Sequence, residues 1–171
     1  MNNVKQKIEE GLYDERSAGG LVYKIENNKV LWLLIKTISG FKTDVRKIGK
    51  QKTTAYKFPK GHLKEKEFLK TAALREVEEE GQVKAKIIDK LGSNNYIIWD
   101  REERKKIIKK VTFFLMDFVS NSNLKHYDNE GVLDREWMTY ETATGKLAYD
   151  SEKVLLRKAK QKLDEILKIR K

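Results

Sequence analysis

The stretch Gly61 to Val83, GHLKEKEFLKTAALREVEEEGQV, gathers Glu65, Glu67, Glu76, Glu78, Glu79 and Glu80 in a chain that is otherwise strongly basic. Glu76, Glu79 and Glu80 are spaced i, i+3 and i+4, so on a helix their carboxylates share one face within one turn. Crowding of like charges is unfavourable without a cation, and carboxylate oxygens are the donors that hard divalent cations prefer. On charge alone the same run also reads as a solvated helix face.

The elements around this run must position it. Pro59, the only proline, sits in FPKG, where its fixed φ and the nearby Gly61 mark a sharp turn out of a strand. Glu67 to Glu80 then reads as a helix with Phe68, Leu69, Ala72, Ala73 and Val77 as its apolar stripe and no breaker before Gly81. Upstream, Ser17–Ile25 and Lys29–Lys36 are β-favouring runs separated by Glu26, Asn27 and Asn28, the pattern of a hairpin with an Asn-rich turn. Residues 37–56 show no clear period and read as an inserted basic loop. Between Lys42 and Lys60 there are seven lysines and arginines against Asp44 alone, a composition suited to a polyanion site or to a solvated insertion. Downstream, 84–89, 90–99 and 110–120 read as strands, with a second basic loop between the last two. Residues 133–140 suit a short strand or turn, and 141–147 a short helix. Ser151 is the expected N-cap of a closing helix with Val154, Leu155, Leu163, Ile166 and Leu167 inward. Residues 1–16 form a possible N-terminal arm.

Composition sets the outer bounds. The 171 residues suit a single domain spanning 1–171. A formal net charge of +11 attracts polyanions without choosing among nucleotides, nucleic acids and acidic membranes. The chain has no cysteine, which excludes disulfides, zinc–thiolate sites and cysteine nucleophiles. No apolar run approaches the length that spans a bilayer, and the first residues lack the apolar middle of a signal peptide. The expected location is cytoplasmic, with no membrane association and no obligatory protein partner.

Gly61, Glu67, Arg75, Glu76, Val77, Glu79, Glu80 and Val83 stand in the register of the signature that the chain resembles, that of the Nudix hydrolases. In it a glycine is followed after five residues by Glu, and after seven more by Arg-Glu-apolar-x-Glu-Glu-x-Gly-apolar. One position departs: Gln82 stands where the family has its second glycine, with Gly81 one place earlier as a candidate C′ residue. SAGG on the first strand, FPKGH, AALREV and KKVTFFLMDF resemble the branch that cleaves diadenosine polyphosphates, and the likeness covers about 17–168. The resemblance implies an α/β Nudix fold, an α/β/α sandwich with a mixed central sheet. It further implies hydrolysis of a nucleoside diphosphate linked to another moiety, dependent on Mg²⁺ or Mn²⁺, by attack of water on phosphorus.

By the same resemblance Glu76, Glu79 and Glu80 are metal ligands together with the Gly61 carbonyl. Glu79 also helps activate the water, and Arg75 and Glu67 form an ion pair that steadies loop and helix. A distal acid often completes such a site; Glu130 is the candidate, with Asp128 and Glu136 as rivals. Lys60 could contact phosphate, and Tyr56, Tyr96, Trp99 and Tyr149 could stack on a base. The two basic loops would also suit an RNA 5′ end, so RNA 5′-pyrophosphohydrolase is the alternative activity. A nucleotide- or RNA-binding module without turnover is the alternative of another class. His62 and His126 have no spacing that supports a zinc site or a catalytic triad.

Overall fold

The computed structural model describes residues 13–43, 50–100, 104–124 and 131–169. Its elements are β1 (Glu15–Glu26), β2 (Lys29–Thr43), β3 (Lys50–Lys57), β4 (Lys60–His62), α1 (Leu69–Gly81), β5 (Val83–Asp100), β6 (Lys105–Asn121), β7 (Val132–Met138), α2 (Tyr140–Lys146) and α3 (Asp150–Ile169). The strands form one mixed sheet in the order β3-β2-β1-β6-β5, with β4 paired to β1 and β7 to β2. β1 and β6 run parallel, and the other pairings are antiparallel. Asn27 and Asn28 both have positive φ (49° and 60°) and join β1 to β2 by the two-residue turn that matches strand twist.

Strand alternation sends apolar side chains to both faces of the sheet. Leu21, Tyr23, Trp32, Leu34, Phe113 and Leu115 form one core with Leu155, Leu156, Ala159 and Leu163 of α3. The intervening Ala18, Val22, Leu33, Phe114 and Met116 pack on Ala72, Ala73 and Val77 of α1. Helices on both faces give the α/β/α sandwich that the resemblance implied. Among the described residues no helix is long and apolar enough to cross a membrane.

Several local expectations need correction. Residues 37–43 and 50–56 are not loop: β2 continues to Thr43 and β3 returns antiparallel, from Thr43↔Lys50 to Ile35↔Lys57. The two strands expected over 84–99 are one, β5, whose register against β6 shifts at Lys84/Ala85, Ile87/Asp89 and Lys90/Gly92. Phe68 is the residue before α1 and is 81% exposed, outside the stripe to which its spacing assigned it. Val154 is likewise 43% exposed, and Leu156 and Ala159 face inward instead. Ser151 is not the cap, since α3 already begins at Asp150.

The exit of α1 settles the role of the misplaced glycine. Gly81 is the last helical residue, and Gln82 itself takes the left-handed conformation (φ 55°, ψ 36°), its N–H donating to the Glu78 carbonyl at 3.1 Å. Its side-chain Nε2 donates to the Glu79 carbonyl at 3.1 Å, which offsets part of the strain of a non-glycine residue there. Gln82→Gly should raise stability by about 0.5–1 kcal/mol, read as a higher midpoint in chemical denaturation.

Candidate active site

The carboxylates of α1 are organised by one guanidinium. Arg75 Nε and Nη2 each donate to Glu67 at 2.8 Å, a two-pronged pair, and Nη2 also donates to the His62 carbonyl at 2.9 Å. Nη1 donates to Glu76 Oε1 and Glu79 Oε2, both at 2.7 Å. Glu67 further accepts the Lys64 N–H at 2.9 Å, closing the turn that contains the left-handed Lys66 (φ 59°). The hydrogen bonds from Arg75 hold the Glu67 carboxyl at about 2, well below the usual range, with the Lys64 N–H adding to the effect. Glu76 is buried and its carboxyl is shifted upward, first by that burial and further by Glu80 and Glu79, against the pull of Arg75.

β4 brings the opposing wall. Gly61 pairs with Ala18 of β1, and a Cβ on Gly61 would lie 2.1 Å from the Glu76 carboxylate, so only glycine lets the two approach. The Lys60 N–H donates to Glu80 Oε2 at 2.8 Å. Together these residues line a cleft of about 500 Å³ that also includes Ser17, Lys57 and Lys109. Beside it lies a second cavity of about 560 Å³, bordered by Ile38, Asn95, Tyr96, Tyr149 and Glu152. Lys57, Lys60 and Lys109 line both. Lys57 is shifted below the usual lysine range by burial first and by the neighbouring Lys60 second.

The structure thus brings Gly61, Lys60, Arg75, Glu76 and Glu80 into one cleft and sets Tyr96 and Tyr149 at the adjoining cavity. Glu79 is tied in through Arg75. Tyr56 stands apart from both cavities: its hydroxyl donates to Glu136, and Lys146 and Lys36 lie 4.8 and 5.7 Å from its ring centroid. The aromatic ring expected to stack on a base is therefore covered by cations of its own chain. Glu136, a rival for the distal acid, is engaged there and also accepts from Lys146 at 3.3 Å. Trp99, 56% exposed, lies on β5 beyond the cavity lining. His62 is held by Glu15 at 3.0 Å. Glu130, Asp128 and His126 lie outside the described residues. Gly131, next to Glu130 in the chain, accepts the Ile38 N–H at 3.0 Å, beside the larger cavity.

Sequence reasoning placed Lys57 and Lys109 only within the two basic loops, and did not single out Ser17, Arg135 or Glu152 for this region. Arg135 Nε donates to the Glu80 carbonyl at 2.6 Å, at the C-terminal end of α1. Glu152 is fully buried. An acid at the third position of an amphipathic helix gives no local sign of burial; only its phase against Leu155, Leu156 and Ala159 places it inward. Among the described residues no three acidic or histidine side chains stand together as a formed cation cage, because Arg75 takes one oxygen each of Glu76 and Glu79 and Glu80 turns to the Lys60 N–H.

The family model of the NUDIX domain matches residues 17–158. A relative from Mycobacterium tuberculosis, the mutator-type protein MutT4, is 29% identical over 111 residues, 65% of this chain. The chain spans 43% of the length of that curated relative. Among solved structures, the binary complex of a Caenorhabditis elegans Ap4A hydrolase superposes with a TM-score of 0.62 at 22% identity, over 88% of this chain and 98% of the other. The NUDIX domain of Shewanella oneidensis NrtR, crystallised with ADP ribose, gives 0.60 at 16% identity over 95% and 99%.

The Arg75–Glu67 pair makes a pH-dependent contribution to stability. The folded-state value of Glu67 lies below its ordinary value of 4.5, so the stabilisation is present above about 4.5 and is lost as pH falls toward about 2. Glu67→Gln should lower stability by about 1–3 kcal/mol at neutral pH, and the gap to wild type should close between pH 4.5 and 2. Denaturation curves across that range check it; a gap independent of pH would contradict the assignment.

Proposed function

Because the chain belongs to the Nudix family, we propose that it is a pyrophosphohydrolase. It cleaves a phosphoanhydride bond in a nucleoside diphosphate linked to another moiety, and dinucleoside polyphosphates are the favoured substrates. The observation that carries this reading is that Lys57, Lys60 and Lys109 line both the carboxylate cleft and the adjoining larger cavity. A polyphosphate chain laid along three lysines can reach the carboxylate face of α1 while its nucleoside remains in the larger cavity beside Tyr96 and Tyr149. The Caenorhabditis relative is an Ap4A hydrolase by name, which agrees with this substrate class.

The donor set fits a hard divalent cation, Mg²⁺ or Mn²⁺. Three carboxylates lie within one helical turn of α1, and Glu76 lies against the Gly61 backbone. Glu76, Glu79, Glu80 and the Gly61 carbonyl would hold the ion, whose chemistry is to neutralise phosphate charge and lower the pKa of bound water. Within that frame the lysines orient the phosphate chain and offset its charge. Water attacks phosphorus as the bridging P–O bond breaks, and its proton passes to Glu79 or to the distal acid. Glu130 remains the proposed distal acid. Arg75 keeps Glu79 and Glu76 aimed while its pair with Glu67 fixes the loop at the foot of the helix. A dinucleoside polyphosphate then yields a mononucleotide and the remaining polyphosphate nucleotide. The same lysines, with the exposed Trp99 opposite Lys106 at the far end of β5, favour a 5′-polyphosphorylated RNA as the second reading.

Glu79→Gln should reduce metal-dependent hydrolysis by roughly 10²–10⁴-fold with an unchanged far-ultraviolet circular dichroism spectrum; retained activity would remove Glu79 from the mechanism. A panel of diadenosine polyphosphates, deoxynucleoside triphosphates, nucleotide sugars and 5′-triphosphorylated RNA, assayed for products, checks the substrate. Turnover of RNA alone, falling steeply with salt, would favour the second reading, and nucleotide binding without any turnover would favour a binding module.

A further inference from the structure

Between β3 and β4 the sheet ladder is interrupted at Phe58 and Pro59. Both are buried, Pro59 has no N–H, and the Phe58 N–H therefore needs an acceptor from elsewhere. Glu152 of α3 supplies it, Oε2 accepting at 3.1 Å. Its other oxygen, Oε1, is also buried and has no hydrogen-bond partner among the described residues. Burial raises the Glu152 carboxyl above its ordinary range, with Lys60 and Lys57 acting in the opposite sense. An apolar residue would fill this space without such a desolvation penalty, so packing alone does not account for a glutamate.

The segment it holds carries the polar groups of the cleft. From Lys57 to Gly61 the chain presents Lys57, Lys60 and the Gly61 backbone, and each stretch is pinned from a different side. Gly20 N–H donates to the Pro59 carbonyl at 3.2 Å, Glu80 accepts the Lys60 N–H, and Gly61 pairs with Ala18. Phe58 is the remaining support, and it comes from α3, well outside the signature stretch. The first turn of α3 also ties to Tyr149, whose carbonyl accepts the Glu152 N–H at 3.0 Å. One helix end thus connects the aromatic wall of the larger cavity to the lysine wall shared by both.

We propose that Glu152 is a positioning residue: by accepting the Phe58 N–H it sets how the chain passes through the Pro59 turn, so that Lys57, Lys60 and Gly61 face the phosphate path. The inference rests on the reading that the lysine-lined cleft holds a polyphosphate. Glutamine keeps an acceptor oxygen for Phe58, whereas methionine keeps the bulk without it and alanine removes both.

The full chain carrying Glu152→Gln, Glu152→Met or Glu152→Ala is compared with wild type by thermal denaturation, by calorimetric binding of inorganic tripolyphosphate, and by kcat and KM on diadenosine tetraphosphate with Mg²⁺. The expected result is a drop of roughly 10- to 100-fold in kcat/KM and weaker tripolyphosphate binding for the methionine and alanine variants. The glutamine variant should stay close to wild type in both. Folded methionine or alanine variants with wild-type binding and turnover would overturn the proposal, as would a folded glutamine variant as impaired as alanine. Should alanine fail to fold, the glutamine–methionine comparison decides alone. If wild type turns over no diadenosine tetraphosphate yet the binding pattern holds, the favoured substrate is lost and the anchor stands.

Discussion

The site depends on the sharing of Arg75 among three carboxylates. A guanidinium offers five donors in a rigid plane, and here Nε, Nη1 and Nη2 reach Glu67, Glu76, Glu79 and the His62 carbonyl. Without that cation, Glu76 and Glu79 would meet Glu80 on one turn of α1 with only solvent to screen them. With it, two glutamates have set orientations, and the loop from His62 to Glu67 is tied to the helix it precedes. A lysine could neutralise one of these acids but could not span all three, because its charge sits at a single point.

The second constraint is the divided edge of β1. Its C-terminal half pairs with β2 and its N-terminal half with β4, while β6 runs along the other edge. That division admits the Lys60–His62 strand next to Ala18 and Gly19, so close that a Cβ on Gly19 would lie 2.3 Å from the Pro59 carbonyl. Gly19 of SAGG is therefore a spacing requirement: it sets how near the lysine-bearing strand can come to the sheet. α1 closes the cleft from one face through Ala72, Ala73 and Val77, and α3 reaches it from the other through Glu152.

Much of the scaffold was legible because it rests on local rules. The Asn27–Asn28 turn, the alternating cores of β1 and β6, the span of α1 and the closing amphipathic helix follow from turn chemistry and periodicity, which act within a few residues. The outer halves of β2 and β3 were not legible: residues 37–56 carry no clear period in the sequence, and only the pairing of residues 38–43 with 50–54 shows that these segments are extended. Phe68 and Val154 were misassigned for a related reason. An apolar residue at helical spacing faces inward only if a sheet lies beneath it, and at the start of α1 and the outer flank of α3 none does.

Gly61, Glu67, Arg75 and the glutamates at 76, 79 and 80 are linked by helix spacing and one turn, so the order of residues alone determined that they would gather on one face beside a glycine. The sequence offered Gly81 as the residue to end the helix; the packed helix end instead gives the left-handed conformation to Gln82, one residue later. Tertiary structure alone decided that Tyr56 would be spent on Glu136, Lys36 and Lys146. It decided too that Lys57, Lys60 and Lys109 would line two cavities at once, and that an ordinary helix glutamate, Glu152, would be buried under the Pro59 turn. These contacts join residues 20 to 94 positions apart or bring separate strands to one wall, and no local pattern encodes them, because each depends on where the sheet places segments that never meet along the chain.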